Sequence, residues 1–500
     1  MPVDRNFLLN ALLQHNYFPL QKRNKEEMPP LFSSILLTED VAIKIKKLEY
    51  RKNKFYQGYD QIDYKATRFN NVPRLLSIPH PKAYINLSFD LADNWDKMSY
   101  IASNDNSLIR PKMHKDGRII IMDYESSAVK MKRALKMSFG YKFVVHTDIS
   151  NCFPSIYSHA IPWALIGFDE AKRNRSKTEY FTQIDDAQMG LKRAETQGTA
   201  IGPATSNLVT EIILFKVDEV LSRAYNYVRF IDDYTCYCAT YEESEKFIRE
   251  LAEELAKYKL NLNYKKTYIE TLPVPINSDW VNDLNTHLPS SEEYTYTQVI
   301  DYLDYALELQ KKSPEGSVLK YAIKAVGKRA NSKAKGFLLE YTLNLAMHYP
   351  VLIPVLKKSI DEDGDFTYAE QLQALLQTSI INRQSDSMCW IMYYLLVVEC
   401  TIASEVAADI IKTKDCLSIC ILYLFGDFEV EIVEFANSLD KSDLYLLDKY
   451  WILLYQLFYD NKITNPYTLY QDKSVFEILK ENEVVFVKLD FENLEIEDEV

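Results

Sequence analysis

Apolar residues follow two rhythms along this chain, and the change falls near residue 280. Upstream, runs of strand length alternate with helical stretches. Residues 142–146, with Phe143, Val144 and Val145 together, predict a buried strand, and 227–238 predict a hairpin that turns at a polar dipeptide. Over 242–260, Phe247, Ile248, Leu251, Leu255 and Leu260 share one helical face, with Glu and Lys elsewhere. Strand, hairpin, helix and a further strand in that order predict an antiparallel sheet backed by helices, an α+β layer whose loops present side chains at one rim.

Beyond about residue 290 the strand pattern vanishes. Stretches of helical spacing succeed one another: Val318, Tyr321, Ala322, Ala325 and Val326, then Phe337, Leu338, Tyr341 and Leu345, then faces near 351–360, 367–381, 388–399, 415–424, 429–437 and 443–459. Polar breaks at 331–332, 361–365, 382–386 and 438–442 separate them, which predicts antiparallel helix pairs stacked as an irregular solenoid without a strict repeat. The reading divides the chain into residues 1–280 and 281–500 and expects the acidic end, 490–500, to fray.

Composition narrows the class. Five hundred residues with 47% hydrophobic and 26% charged side chains suit a large globular protein, and only 12 glycines exclude collagen and glycine-rich tethers. The seven cysteines form no Cys-x-x-Cys pair, so no structural zinc is expected and a reducing cytoplasm fits best. The most apolar run, 389–398, lies between Asp386 and Glu399 and is too short to span a bilayer, so no membrane partner is expected. Residues 7–13 are interrupted by Asn10 and do not read as a signal peptide.

Charge is uneven. Residues 1–280 hold 39 Lys and Arg against 35 Asp and Glu, whereas 281–500 hold 19 against 36. A polyanion is therefore drawn to the first part and repelled by the second. The richest basic stretch is 110–142, where nine Lys and Arg, Lys112 and Arg118 among them, face three acids; it is a candidate phosphate-binding surface, or a solvated basic face.

The candidate chemistry lies in three carboxylates on two strand ends. The string Phe143-Val144-Val145-His146-Thr147-Asp148-Ile149-Ser150-Asn151-Cys152-Phe153 delivers Asp148 to the end of an apolar strand, and Tyr227-Val228-Arg229-Phe230-Ile231-Asp232-Asp233-Tyr234 sets two adjacent carboxylates at a hairpin tip. Either string alone is ordinary turn chemistry. Brought together in one sheet, three hard anionic ligands call for a divalent cation, and two Mg²⁺ ions, or Mn²⁺ in their place, would serve phosphoryl transfer by activating a hydroxyl and neutralising the leaving phosphate.

With Phe153 five residues after Asp148, Gln197-Gly198 opening a turn, and Asn263-x-x-Lys266-Thr267 after the helix, the set resembles the palm of a reverse transcriptase. The resemblance implies that Asp148, Asp232 and Asp233 hold metal, with the Ile149 carbonyl beside them, and that amides just after Asp148 meet the triphosphate. It makes Phe153 a gate against the 2′-hydroxyl, with a core aromatic as the plain alternative. Gln197, Gly198, Gly202, Pro203, Ser206 and Asn207 would line the nascent base pair, and Lys266, Lys112 and Arg118 would meet the nucleotide. Phe230 stands where most relatives have Tyr.

The string Ile156-Tyr157-Ser158-His159-Ala160-Ile161-Pro162-Trp163 is similar to a signature of phage-defence reverse transcriptases, and Pro29-Pro30-Leu31-Phe32-Ser33-Ser34 looks like the abortive-infection group borne by P2-type prophages. That resemblance implies reverse-transcriptase-like fingers and palm followed by an all-α HEAT-like helical-repeat domain in place of a thumb. It also implies DNA synthesis from dNTPs without a template, a single-stranded DNA product attached to a tyrosine of the protein, and a trimer or hexamer. The chain has 36 Tyr, and none is marked out as the primer. The competing readings are an RNA-templated enzyme of retron type and a non-catalytic helical-repeat interaction protein.

Overall fold

The computed structural model describes residues 3–52, 54–68, 71–122, 126–314, 316–361 and 367–489. Strand β1 (Gln61–Ala66) pairs with β2 (Arg74–Pro79) in a separate two-stranded antiparallel sheet. The central sheet is built around β3 (Phe143–Asp148). It takes β5 (Asp233–Cys238) on one side and β6 (Tyr268–Thr271) on the other, while β4 (Asn226–Phe230) sits outermost beside β5. Every pairing is antiparallel, as the strand and hairpin patterns predict.

Two helices back this sheet. The Ala204–Leu221 helix is buried almost all round, with Leu208, Val209, Ile212, Ile213 and Leu214 shut off from solvent. The Tyr241–Lys257 helix buries one stripe, Phe247, Leu251 and Leu255, and starts where the Thr240 hydroxyl accepts from the Glu243 amide at 3.2 Å. Each fully buried Leu or Phe contributes about 1.5–3 kcal/mol of transfer free energy, enough in sum to fix the sheet's inner face.

After Thr271 every regular element is helical among the described residues. The pattern reading missed four helices, Asp279–His287, Tyr296–Lys312, Ser404–Thr413 and Tyr470–Glu481. Residues 351–360 begin as a 3₁₀ turn, Pro350–Val355, because Pro354 has no amide to give to an α-helical ladder. The 443–459 stretch is split into Leu444–Asp448 and Trp451–Tyr459. The expected frayed tail and most of the 361–365 break lie outside the described residues.

Secondary structure and packing divide the chain in different places. One apolar core contains Leu284, Tyr294, Val299, Leu303, Val318, Val326 and Leu352. The larger core runs from Leu8 through both sheets to Phe486 and Val487, so the N-terminal segments and the last helices are packed as one body. Tyr17 stacks on Tyr84 at 4.0 Å and lies parallel to Trp451 at 6.3 Å, and Phe486 meets Trp451 edge-on at 5.2 Å. Arg51 is wholly buried here, 2.6 Å from Asp448 and 2.8 Å from Asp472, with its guanidinium 4.1 Å from the Tyr59 ring centre.

Candidate active site

Asp148 ends β3 and stands in register with Asp233, the first residue of β5. Antiparallel partners have Cα atoms about 4.5–5.5 Å apart, so the two carboxylates share one sheet rim. Asp232 is the second residue of the two-residue turn between β4 and β5, since Phe230 pairs directly with Asp233. The first, Ile231, has φ +60°, a conformation that a β-branched residue reaches only at a cost of about 1–2 kcal/mol.

That turn is propped from below. Arg229 is fully buried in β4 and donates to the Ile231 carbonyl at 3.0 Å, to both Glu211 carboxylate oxygens at 2.7 Å, and to Asp218 at 2.8 Å. Asp218 also accepts from the Tyr227 hydroxyl at 2.8 Å and the Asn104 amide at 2.7 Å. A charge this deep persists only when every donor is satisfied, and the satisfied fork carries the strained turn. Arg229 belonged to the hairpin string, yet nothing in its local pattern announced this role. Its partners lie 18 and 11 residues back, on the Ala204–Leu221 helix.

The rim is electrostatically crowded. The Asp232 carboxyl is pushed up to about 6, first by burial and then by the charges of Asp233 and Asp148. Burial followed by Asp148 also raises Asp233. The Lys266 ammonium lies 2.6 Å from Asp148 Oδ2, a hydrogen bond that raises the lysine's own pKa, while Asp148 Oδ1 is buried without a partner. Lys266 is brought there by a 3₁₀ turn, Tyr264–Lys266, after Asn263 has given its amide to the Asp148 carbonyl at 2.8 Å.

These groups fit a hard divalent cation. Three carboxylates, one of them with an orphaned oxygen, repel one another with the Lys266 ammonium beside only Asp148 at hydrogen-bond distance. The Ile149 amide donates to the Asp232 carbonyl at 3.1 Å, so Ile149 meets the hairpin tip on the edge where its own carbonyl would complete an oxygen set. Among the described residues no three His, Cys, Asp or Glu side chains are gathered closely enough to enclose a metal ion. The Lys266 ammonium is a positive charge directly beside Asp148.

The other expected residues divide. Phe153 lies in the short Cys152–Ser155 helix, partly buried, and its carbonyl accepts from the Thr199 amide at 2.9 Å. Gly198 donates to the Ile156 carbonyl at 2.7 Å, and Gln197 forms a bridge with Tyr157, so the Gln197-Gly198 turn is laid along the Phe153 segment. Gly198 has φ +91°, a backbone conformation that residues with a Cβ rarely adopt, which explains glycine at this crossing.

Lys112 is exposed on the strand-like loop where its amide meets the Ile119 carbonyl. Arg118 corrects the expectation of a nucleotide contact. It is 2% exposed, paired with Asp116 at 2.6 Å and donating to the Leu20 and Lys22 carbonyls at 2.8 Å, so it secures the N-terminal segment. Ser206 and Asn207 are buried in the first turn of the Ala204–Leu221 helix. Of the amides after Asp148, that of Ile149 is engaged by Asp232 and that of Ser150 by the Asn261 carbonyl at 2.8 Å. His159 Nδ1 lies at hydrogen-bond distance, 2.6 Å, from Asp185 beside the Tyr157 ring, a contact that the reading did not pick out.

Comparison with known proteins agrees with this geometry. Residues 104–307, about two-fifths of the chain, match the model of the reverse transcriptase (RNA-dependent DNA polymerase) family, a span that contains every candidate site residue. No curated protein matches the chain. Among solved structures, apo telomerase from Candida tropicalis truncated from the C-terminal domain is 12% identical over 47% of this chain and 54% of that one, with a TM-score of 0.31. The chain thus spans about half of that telomerase's length. Apo telomerase from the same organism gives 11%, 72% and 72%, with a TM-score of 0.32. Telomerase from Candida albicans in complex with a fragment of telomeric RNA gives 12%, 81% and 68%, with a TM-score of 0.28. Scores this low carry no argument about what the present chain does. The family match and the antiparallel sheet with its acidic rim together show a reverse-transcriptase-like domain over residues 104–307, followed by an all-α region.

Proposed function

We propose that the chain is a DNA polymerase that adds deoxynucleotides by two-metal nucleotidyl transfer in abortive-infection defence against phage, in the cytoplasm, without a template and from a tyrosine of its own. The supporting observation is the rim itself: Asp148 opposite Asp233, with Asp232 forced upward to about 6 on a strained, propped turn. In the reaction a hydroxyl oxygen attacks the α-phosphorus of a dNTP, the new P–O bond forms as the bond to pyrophosphate breaks, and the hydroxyl proton passes to solvent. Two Mg²⁺ ions, when bound, would activate the hydroxyl and neutralise the departing pyrophosphate.

This chain's own groups have distinct parts. Asp148, Asp232, Asp233 and the Ile149 carbonyl offer the oxygens. The Lys266 ammonium, now on Asp148, is within reach of charge that develops on a triphosphate. The Phe153 ring excludes the 2′-hydroxyl, and Gln197 and Gly198 border the sugar and base. The defence role, the self-priming, the HEAT-like stacking and the oligomer rest on the Tyr157 to Trp163 signature and its neighbours.

The test is to give purified protein one labelled dNTP at a time with Mg²⁺, no primer and no template, and to look for label that stays on the polypeptide after denaturation. Covalent label is expected. Incorporation only after RNA template and primer are added would favour the retron-type reading, and no incorporation under either condition would favour the non-catalytic one.

A further inference from the structure

The acidic, helical part of the chain holds a basic cavity that the polymerase reading does not use. Its volume is about 1040 Å³, of the size that takes a nucleotide, and Lys324, Lys328, Lys335, Lys357 and Lys358 stand around it with Glu26. Five of the nineteen Lys and Arg in residues 281–500 thus gather at one opening, in a region where acids outnumber bases almost two to one. They come from three elements: the Val318–Gly327 helix and the turn after it, the Ser332–Ala346 helix, and the Leu356–Asp361 helix.

The wall is built as well as charged. Trp390, from the Ser385–Val397 helix, forms part of it; the side chain is 2% exposed, and its indole N–H is buried with no acceptor among the described residues. An unpaired buried donor costs about 1–3 kcal/mol, a penalty that a bound acceptor removes. Lys324 and Lys320 both reach Glu26 of the N-terminal segment, which closes one side of the opening. Gly336 leaves the opposite side bare: a Cβ built there meets nothing within 4 Å.

We propose that this cavity is a second ligand site, for a phosphate-bearing anion of nucleotide size, with the Lys328 ammonium group on the phosphates and the Trp390 N–H as a fixed donor. An anion is the occupant that suits both features, because it offers an acceptor to the buried N–H and a negative charge to ammonium groups at the opening. The same phosphate chemistry could come from a free nucleotide or from the 5′ end of a strand, and the experiment separates the two.

Full-length protein is titrated calorimetrically with inorganic triphosphate, with dATP and with a 5′-phosphorylated oligothymidylate. All titrations contain EDTA and the Asp232→Asn substitution, so that the acidic rim takes no part. One saturable site is expected, weakened at least tenfold by Lys328→Glu, which alters an exposed side chain, and by Gly336→Phe, which fills the cavity from a helical position with room for it. Trp390→Phe should weaken it several-fold while keeping an aromatic ring in place. Tighter binding of dATP would assign the site to a free nucleotide, and tighter binding of the oligonucleotide would assign it to a strand end. Absence of saturable binding for all three probes, or affinity unchanged in both Lys328→Glu and Gly336→Phe, would overturn the proposal without touching the polymerase reading.

Discussion

At the scale of single residues, the crowding of the acidic rim costs stability. The Asp232 carboxyl titrates near 6 in the folded chain against 3.8 as its ordinary value, so the fold binds this proton more tightly than the unfolded chain does. The charged form is therefore a burden that is absent at pH 4, grows as pH rises through 6, and is complete at pH 7.5. Asp232→Asn should lift stability at pH 7.5 by roughly 1–2 kcal/mol after allowance for solvent screening, show no gain at pH 4, and lower nucleotide incorporation at least a thousandfold. Denaturant melts at the two pH values, with a primer-free incorporation assay, check both halves. For the same reason wild-type activity should fall as pH drops below about 6. Phe153→Ala should admit ribonucleotides, and competition between dNTP and rNTP measures it; unchanged selectivity would return Phe153 to the role of a core aromatic. The carboxylates were legible because apolar strands on either side of the turns reveal where the chain must surface. Arg118 was not, because a count of charges cannot distinguish a solvated cation from one facing the carbonyls of Leu20 and Lys22, some hundred residues earlier.

At the scale of elements, the β4–β5 hairpin depends on the Ala204–Leu221 helix behind it. Arg229→Met keeps the bulk but leaves Glu211 and Asp218 buried without their cation. About 3–5 kcal/mol of stability should be lost, together with the geometry of the tip. A milder outcome, with activity intact, would show that Ile231 holds its left-handed conformation unaided; urea unfolding and the incorporation assay together decide. Strand β3, the hairpin and the Tyr241–Lys257 helix could be read in advance because each carries its own periodicity. The small β1–β2 sheet could not, since β2 begins with two exposed residues, Arg74 and Leu75, and its pairing is made by register with Gln61 to Ala66. The split at Asp448 is another case: continuous helical spacing over 443–459 conceals a corner, and that corner places the Asp448 carboxylate on Arg51.

For the whole molecule, the dominant fact is that the first and last parts of the chain share a core. Arg51, Asp448, Asp472, Tyr59 and Tyr467 form a buried cluster, with Tyr59 donating to Asp472 at 3.0 Å and Tyr467 to Asp448 at 2.8 Å. Arg51→Ala should cost about 3–5 kcal/mol and unfold both parts in a single transition, whereas independent domains would give two. Calorimetry checks the number of transitions. Periodicity placed the change of secondary structure near 280 but was silent about this union, since ring stacking between Tyr17 and Trp451 leaves no trace in local spacing. The union also sets an order of events during synthesis. Until the ribosome has released Asp448 and Asp472, the nascent chain has neither anion for Arg51 nor the indole that covers Tyr17, and its N-terminal layer remains unfinished. A chain built in this way closes its core only once its last helices are in place, and one cut short before Asp448 should leave Arg51 without its buried anions.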